Sequence, residues 1–248
     1  MSKLFINHHY KKGFSLIELA VVLFIVGLML GGLLTPLATK VEYENINETS
    51  IALNEIKESL LGFAIANGYL PCPDTNNDGS EDLVTKPVTG APGLSCSSEI
   101  GELPWITLGV SATDAWENNY TYRVDDEFAD RADSANTDGK STDTCTATAN
   151  ISFSLCSDGD ITILDGDGGT TIANLVPAII VSHGGNADDA PTVHEEENYD
   201  DSTNANDTLK TFVKRDYSED AINGFDDIVV WISPHILRSK MVAAGVLP

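Results

Sequence analysis

Acidic and amide side chains follow one another closely just after residue 70. The run from Asp74 to Gly79, with such side chains at alternate positions, repeats the first half of an EF-hand calcium loop. The twelfth position of that loop, which supplies a bidentate glutamate, is Thr85 here. Because Asp, Asn and Gly are also common turn residues, the run predicts a solvated turn, with a calcium loop as the alternative.

The cysteines have the spacing of disulfide partners rather than of zinc ligands. None of Cys72, Cys96, Cys145 and Cys156 belongs to a C-x-x-C pair. Four cysteines allow three connectivities, and we favour the local one, Cys72–Cys96 with Cys145–Cys156. Each bridge would contribute about 3 kcal/mol by closing its loop.

Catalytic motifs are not found. The sequence has no G-x-S-x-G, no H-E-x-x-H and no G-x-x-x-x-G-K. His183 and His194 fall in predicted loops, and His235 falls at the start of a predicted helix. We therefore expect a protein that is not an enzyme.

Charge argues against a nucleic-acid partner. The 248 residues include 38 acidic and 14 basic side chains, for a net charge of −24. The first thirteen residues contain three lysines and no acid, so the remainder carries −27. Such a field repels phosphate backbones. The hydrophobic content of 42% is that of a globular protein.

Short apolar runs separated by turn residues begin after residue 70 and predict a β-rich region. The predicted strands are Trp105–Val110, Tyr120–Val124, Ile151–Leu155, Asp160–Leu164, Ala178–Ser182 and Ile228–Ile232. Residues 234–245 predict a short helix, and the acidic residues 186–207 predict a long surface loop.

A long helix is predicted ahead of this region. Apolar residues recur at steps of three and four from Leu37 to Asn67, and Gly68 ends the pattern. One helix from Phe14 to Asn67, or two helices hinged at Pro36, would place an amphipathic face against an antiparallel sheet. Both describe an α+β fold.

The apolar residues concentrate in the first part of this helix. Phe14–Leu34 contains 21 residues and a single charge, Glu18. As a helix it would span about 31 Å, the thickness of a bilayer core. Lys11 and Lys12 precede it and predict a cytoplasmic N terminus. Since a carboxylate within a membrane helix costs about 2–3 kcal/mol without a partner, we expect an amine of another chain to pair with Glu18.

The residues Lys11–Leu19, KKGFSLIEL, resemble the type III signal of type IV pilins and type II secretion pseudopilins. In that family a prepilin peptidase cuts after the glycine and N-methylates the new first residue. The resemblance implies cleavage between Gly13 and Phe14 and methylation of Phe14. It also implies that Glu18 pairs with the N-terminal amine of a neighbouring subunit.

The resemblance further implies a pilin-like domain organisation and a location in the cell envelope. The segments are a leader (1–13), a transmembrane and assembly half of the helix (14–35), its amphipathic half (36–68) and an extracytoplasmic β-rich head (69–248). The precursor would sit in the inner membrane with its head in the periplasm. Its partners would be prepilin peptidase, copies of itself and other pilins or pseudopilins, in a periplasmic pseudopilus or a surface pilus. A membrane-anchored periplasmic binding protein or enzyme that shares only the anchor is the alternative.

Two segments of the head are similar to parts of the major pseudopilins. Asp114–Tyr122 resembles their D-P-W-G-N-P-Y-x-Y segment, and its aromatic residues predict a role in the fold. Val181–Asn186 and Phe225–Trp231 are similar to the pieces that flank a calcium-binding loop. The Ca²⁺ ligands implied by this resemblance are Ser182 (by its backbone oxygen), Asn186, Asp226 and Asp227. No cofactor is implied apart from Ca²⁺, which this resemblance suggests.

Overall fold

The structure of the chain is a computed structural model. It describes residues 13–86, 93–130, 151–166, 168–187, 192, 194–199, 210–218 and 224–248. The leader up to residue 12, Cys145 and much of the predicted loop 186–207 lie outside the described residues. The chain divides into two compact units, Met1–Glu44 and Asn45–Pro248.

Helix α1 (Leu16–Asn67) begins and ends at residues with terminal signals. The Ser15 hydroxyl accepts a hydrogen bond from the Glu18 N–H at 3.2 Å, and the Glu18 carboxylate accepts one from the Ser15 N–H at 3.3 Å. This reciprocal pair is a capping box. At the far end, Gly68 takes a left-handed φ of 85°, which glycine adopts without strain. The helix therefore ends where the sequence predicts.

In the first unit, the described apolar side chains at the start of α1 face solvent, as does Phe14 just before the helix. Phe14 is 84% exposed and Leu16 is 87% exposed. Within the described residues, no helix combines the length and the apolarity required to span a membrane. The membrane-spanning role of residues 14–35 stays a prediction.

The second unit is mixed α+β. After α1 it contains β1 (Leu83–Lys86), β2 (Gly93–Cys96), β3 (Ile100–Glu102), α2 (Trp105–Leu108), β4 (Thr121–Val124), α3 (Asp126–Ala129), β5 (Ile161–Asp165), β6 (Thr170–Val176), β7 (Ala178–Ser182), β8 (Thr211–Lys214), β9 (Ile228–Ile232) and α4 (Pro234–Ala243). The described strands form a β1-β2 hairpin, an antiparallel β3-β4-β7-β9 sheet and a β6-β5-β8 sheet. The β5-β8 pair is parallel, and the other pairs are antiparallel.

The four-stranded sheet lies between two apolar layers. The layer shared with the helices includes Leu53, Ile56, Leu60, Tyr122, Ile180, Leu237 and Met241. The layer shared with the three-stranded sheet includes Ile161, Ile163, Ile179, Val181 and Phe212. Because alternate residues of a strand point to opposite faces, β7 is buried at every position.

The prediction of one antiparallel sheet is wrong in detail, because the chain changes sheets at Pro177. Strand β6 belongs to the three-stranded sheet and β7, two residues later, to the four-stranded one. Proline has no N–H to donate to a strand ladder, so the ladder is interrupted there. The Pro177 carbonyl accepts the Asp125 N–H instead, at 2.9 Å.

The predictions of strands at Tyr120–Val124, Asp160–Leu164, Ala178–Ser182 and Ile228–Ile232 are confirmed within one residue, as β4, β5, β7 and β9. The strand predicted at Trp105–Val110 is wrong. Its first residues form α2, because Pro104 precedes a helical turn and Gly109, at a φ of 69°, ends it.

The strand predicted at Ile151–Leu155 is also wrong. The Ser152 N–H donates to the Gly68 carbonyl at 3.0 Å, and its hydroxyl donates to the Glu127 carbonyl at 2.8 Å. Loop contacts therefore satisfy groups that a strand would pair. The apolar side chains of this segment still serve the core, since the Phe153 ring packs 4.9 Å from that of Phe128.

One predicted disulfide is present among the described residues. Cys72 is bonded to Cys96 and so ties the segment after α1 to strand β2. Cys156 is also disulfide-bonded. Cys145, its partner in the local pairing, lies outside the described residues.

Candidate metal centre and N-terminal segment

A tight turn at Asp114 supports the loop that follows β7. One Asp114 oxygen accepts the N–H groups of Trp116 and Asn118, each at 2.9 Å. The other oxygen accepts the Ser182 hydroxyl at 2.6 Å. Glu117 stands at a left-handed φ of 70° within this turn. The segment therefore shapes the fold, as the sequence predicts.

The same turn holds the loop at Gly184. The Asn118 side-chain amide donates to the Gly184 carbonyl at 2.7 Å. Gly184 has a φ of 62°, and a Cβ there would lie 2.6 Å from the Asp226 carboxyl group. Only glycine allows this approach. The neighbouring Gly185 N–H donates to the Asp226 carboxylate at 2.9 Å.

Three carboxylates meet beside this loop. One oxygen from each of Glu195, Asp226 and Asp227 lies within 4.8 Å of the others, and we call these residues the carboxylate cluster. Glu195 is fully buried and Asp227 is 6% exposed. Glu195 accepts the Asp226 N–H at 3.1 Å through one oxygen, and the Thr192 N–H at 3.0 Å through the other.

The three carboxylates of the cluster differ in how their surroundings shift their pKa values. Burial raises the pKa of Asp226 to about 7, and the hydrogen bond and charge of Glu195 act in the same direction. Burial also raises the pKa of Asp227, although His183 opposes it. Burial acts to raise the pKa of Glu195 too, but hydrogen bonds from Thr192 and Asp226 outweigh it and lower that pKa. A proton or a bound cation would relieve the repulsion between these carboxylates.

Buried oxygens at the cluster fit a hard cation. One oxygen each of Asn186, Asp226 and Asp227 is buried without a well-formed hydrogen bond in the described part of the chain, although the Asp227 oxygen faces His183 Nδ1 at 3.4 Å and the Asp226 carboxyl group interacts with that of Glu195. Asn186 reaches the cluster, because its amide donates to the Glu195 carboxylate at 3.2 Å. Ca²⁺ is bound in proteins by carboxylate and amide oxygens of this kind.

The His183 ring also lies beside the Asp227 carboxylate. Its Nδ1 lies 3.4 Å from an Asp227 oxygen, and its Nε2 lies 2.8 Å from the Thr121 hydroxyl. The ring packs 4.2 Å from that of Tyr199. The residues around Asp227 are therefore held by β4 and by the segment that contains Glu195.

Sequence reasoning identified part of this set. The structure brings Asn186, Asp226 and Asp227 together. The Ser182 hydroxyl, in contrast, donates its hydrogen bond to Asp114. The backbone oxygen of Ser182 stays a predicted ligand. Glu195 was missed, because it is one of three consecutive glutamates and nothing local distinguishes the buried one.

The acidic loop from Asp74 to Gly79, the alternative calcium loop, has a structural role in the fold. The Asp74 carboxylate is fully buried and accepts the N–H groups of Asn76, Asn77 and Gly79 at 2.5–3.0 Å. These bonds close a turn, as the sequence predicts. Strands β5 and β6 pair in antiparallel register, with Asp165 opposite Thr170.

One comparison with known proteins found a relationship. Residues 8–34 match the prokaryotic N-terminal methylation motif, which is the signal of type IV pilins and pseudopilins. This match confirms the resemblance seen at Lys11–Leu19. Searches of curated proteins and of solved structures found no match to the chain. The motif includes Gly13, Phe14 and Glu18.

Proposed function

We propose that the chain is a pilin-like structural subunit of a type IV pilus or a type II secretion pseudopilus. The observation that carries this proposal is the methylation motif at residues 8–34. Prepilin peptidase cuts between Gly13 and Phe14 and methylates Phe14. The precursor is held in the inner membrane by residues 14–35, with its head in the periplasm.

The described start of α1 supports assembly through this helix. Its apolar side chains are exposed in the single chain, and burying them between subunits would be favourable by about 25 cal/mol per Å². The head then acts as a structural module and not as an enzyme. Copies of the chain and other pilins or pseudopilins are its partners.

Glu18 allows a sharp test, because two roles compete for its carboxylate. It caps α1 together with Ser15, and the signal implies a charge pair with the amine of a neighbouring subunit. Glu18→Gln keeps a capping acceptor and removes the charge. Glu18→Ala removes both, and Ser15→Ala weakens the cap alone.

The experiment expresses these variants in the native host and takes the intact mass of the protein in sheared filaments and in membranes. We expect the wild-type chain to lack residues 1–13 and to carry a methyl group on Phe14. Glu18→Gln and Glu18→Ala should be processed but lost from filaments, whereas Ser15→Ala should assemble. Processed chain that is abundant in the sheared fraction indicates a surface pilus, and processed chain confined to the envelope indicates a pseudopilin or a scarce minor pilin.

Other outcomes contradict the proposal. An unprocessed wild-type chain would mean that the motif is not used. Normal assembly of Glu18→Gln would show that Glu18 serves as a cap and not as a charge. If the wild-type chain is absent from filaments and its head has a ligand-binding or enzymatic activity that Glu18→Ala leaves unchanged, the chain is a membrane-anchored periplasmic protein that shares only the anchor.

We also propose that the carboxylate cluster binds Ca²⁺. The supporting observation is the meeting of Glu195, Asp226 and Asp227 beside buried oxygens that lack a well-formed hydrogen bond in the described part of the chain. Asn186 completes the side-chain donor set. The ion would neutralise the cluster and tie the loop after β7 to the start of β9.

The calcium test compares two adjacent glutamates. The full-length protein in detergent is unfolded by heat with a chelator, with Ca²⁺ and with Mg²⁺. A ligand at 100 times its Kd stabilises by about 2.7 kcal/mol, which is about 5–10 °C in Tm for a domain of this size. Glu195→Gln should abolish the Ca²⁺ shift. Glu196→Gln, which changes an exposed neighbour, should retain it. No shift in the wild-type protein, or equal shifts in both variants, would refute the site.

A further inference from the structure

A groove lies at the place where strands β8 and β9 diverge. The two segments are bridged at Ser218 and Phe225 and then separate, because β8 joins the three-stranded sheet and β9 the four-stranded sheet. The groove has a volume of about 430 Å³ and lies within the second unit. We call it the β9 groove. It is lined by Ile46, Ser50, Asn54 and Lys57 of α1 and by residues 214–217 and 226–231.

Unpaired positive charge collects in this groove. Among the lysines and arginines whose side chains the structure describes, every one outside the groove is in an ion pair with a carboxylate. Those pairs are Lys40–Glu44, Arg123–Glu99, Arg123–Asp160, Lys210–Asp160, Arg238–Asp158 and Lys240–Glu58. Within the described residues, Lys57, Lys214 and Arg215 form no ion pair with a carboxylate, and all three line the groove. Lys214 lies over the Trp231 ring, 5.1 Å from its centre.

The groove also contains an open strand edge. Strand β9 pairs with β7 on one side, and no described main-chain group bonds to its other side. Two other outer edges are covered. Asn198 bonds to both the N–H and the carbonyl of Val213 in β8, and Asp74 bridges to Glu102 in β3. An edge left open in this way accepts an added strand.

We propose that the β9 groove binds an extended acidic segment of a second copy of this chain. Two processed copies, each with a net charge of −27, repel each other, so close approach requires a local patch of opposite sign. Among the described residues, Lys57, Lys214 and Arg215 supply that patch. The main chain of the segment pairs with β9, its carboxylates meet the three cations, and Trp231 forms an apolar wall.

The acidic residues of the groove limit where the segment lies. Asp226 and Asp227 belong to the carboxylate cluster at one end, and Asp216 is exposed on the side of Lys214 and Arg215. The carboxylates of the segment therefore face the cations rather than the cluster. This inference rests on the proposed filament, because assembly brings heads side by side.

The test places a photo-crosslinking amino acid in the full-length chain in the native host. Asn54→p-benzoylphenylalanine puts the probe in the groove, and Glu55→p-benzoylphenylalanine puts it on an exposed neighbour outside the groove. We expect an adduct of twice the subunit mass from position 54 only. Mass spectrometry should identify the joined peptide as an acidic segment of the same chain.

Charge variants show whether the cations bind that segment. Lys57→Gln, Lys214→Gln and Arg215→Gln together should lower the yield of the adduct about tenfold, since each exposed pair contributes modestly. Lys40→Gln with Lys240→Gln removes cations that are already paired and should leave the yield unchanged. Thermal unfolding of each variant verifies that the head still folds.

Three outcomes would overturn the inference. They are equal adducts from positions 54 and 55, an adduct only with a different protein, and a yield that the three groove substitutions do not change. The processing of each chain is measured in the same samples. If the chain is cut after Gly13 and enters filaments without the adduct, the groove inference fails and the proposed function stands. An uncut chain would count against both.

Discussion

At the scale of single residues, the backbone at Glu117 shapes the loop that leads to the carboxylate cluster. Glu117 has a φ of 70°, a left-handed conformation that costs a non-glycine residue about 1–2 kcal/mol. Hydrogen bonds offset this cost, because the Asp114 carboxylate accepts the N–H groups of Trp116 and Asn118, the residues on either side of Glu117. The turn then holds Gly184 against Asp226.

Replacing Glu117 with glycine should therefore stabilise the protein. We expect Glu117→Gly to raise the free energy of unfolding by about 0.5–1 kcal/mol, because relief of the strain exceeds the extra entropy of glycine in the unfolded chain. Chemical denaturation of the full-length protein measures the change. Glu117→Ala keeps the strain and is the control, for which no gain is expected. A loss with glycine would mean that the glutamate side chain stabilises the turn.

At the scale of elements, a buried charge network joins the two larger sheets. Arg123 of β4 is fully buried and bonds to Glu99 at 2.7 Å and to Asp160 at 3.3 Å. Asp160, which precedes β5, also accepts a hydrogen bond from Lys210, which precedes β8. Burial acts to raise the pKa of Asp160, but the bond from Lys210 and the charge of Arg123 outweigh it and lower that pKa.

Removing this carboxylate should destabilise the contact between the sheets. We expect Asp160→Asn to lower the free energy of unfolding by about 2–3 kcal/mol near pH 7, because it leaves Arg123 buried with one partner fewer. Asp158→Asn is the matched control. Its pair with Arg238 is half exposed, so a cost of less than about 1 kcal/mol is expected.

The cost should depend on pH with a defined sign. Because the folded pKa of Asp160 is lowered, its contribution is present above the pKa of the unfolded chain, near 3.8, and is lost as pH falls through the folded pKa. Urea unfolding at neutral pH and below pH 3.8 should show a difference between wild type and Asp160→Asn that shrinks in acid. A difference that stays constant would assign the effect to packing rather than to charge.

At the scale of the whole molecule, the net charge of −24 opposes the compact state. Few described cations remain to offset it, since most are already in ion pairs. Screening by salt should therefore stabilise the fold. With Ca²⁺ chelated, we expect Tm to rise by about 2–4 °C when salt shortens the Debye length from about 30 Å to below 10 Å.

Thermal scans of the full-length protein in NaCl and in choline chloride test this expectation. Equal rises in both salts would identify screening, because the two cations differ in how they coordinate to carboxylates. A rise with NaCl alone would indicate cation binding, and a fall in both salts would mean that attractive pairs dominate over self-repulsion.

Sequence alone determined the features of this protein that depend on neighbouring residues. The methylation signal, the end of α1 at Gly68 and strand β9 are each specified within a short run. Alternation and capping act over a few residues, so they can be read without a structure. The disulfide Cys72–Cys96 is also predicted by the local pairing of the cysteines.

Only the tertiary structure decided which distant residues meet. Glu195 joins Asp226 and Asp227, and Lys57 shares a groove with Lys214, although no local pattern links them. The sequence contains Pro177, but only the packing of the layers places β6 in the three-stranded sheet and β7 in the four-stranded one. Contacts between residues far apart in the chain depend on how all the layers pack together. A single sequence records the composition of those layers, but not the pairs that they bring into contact.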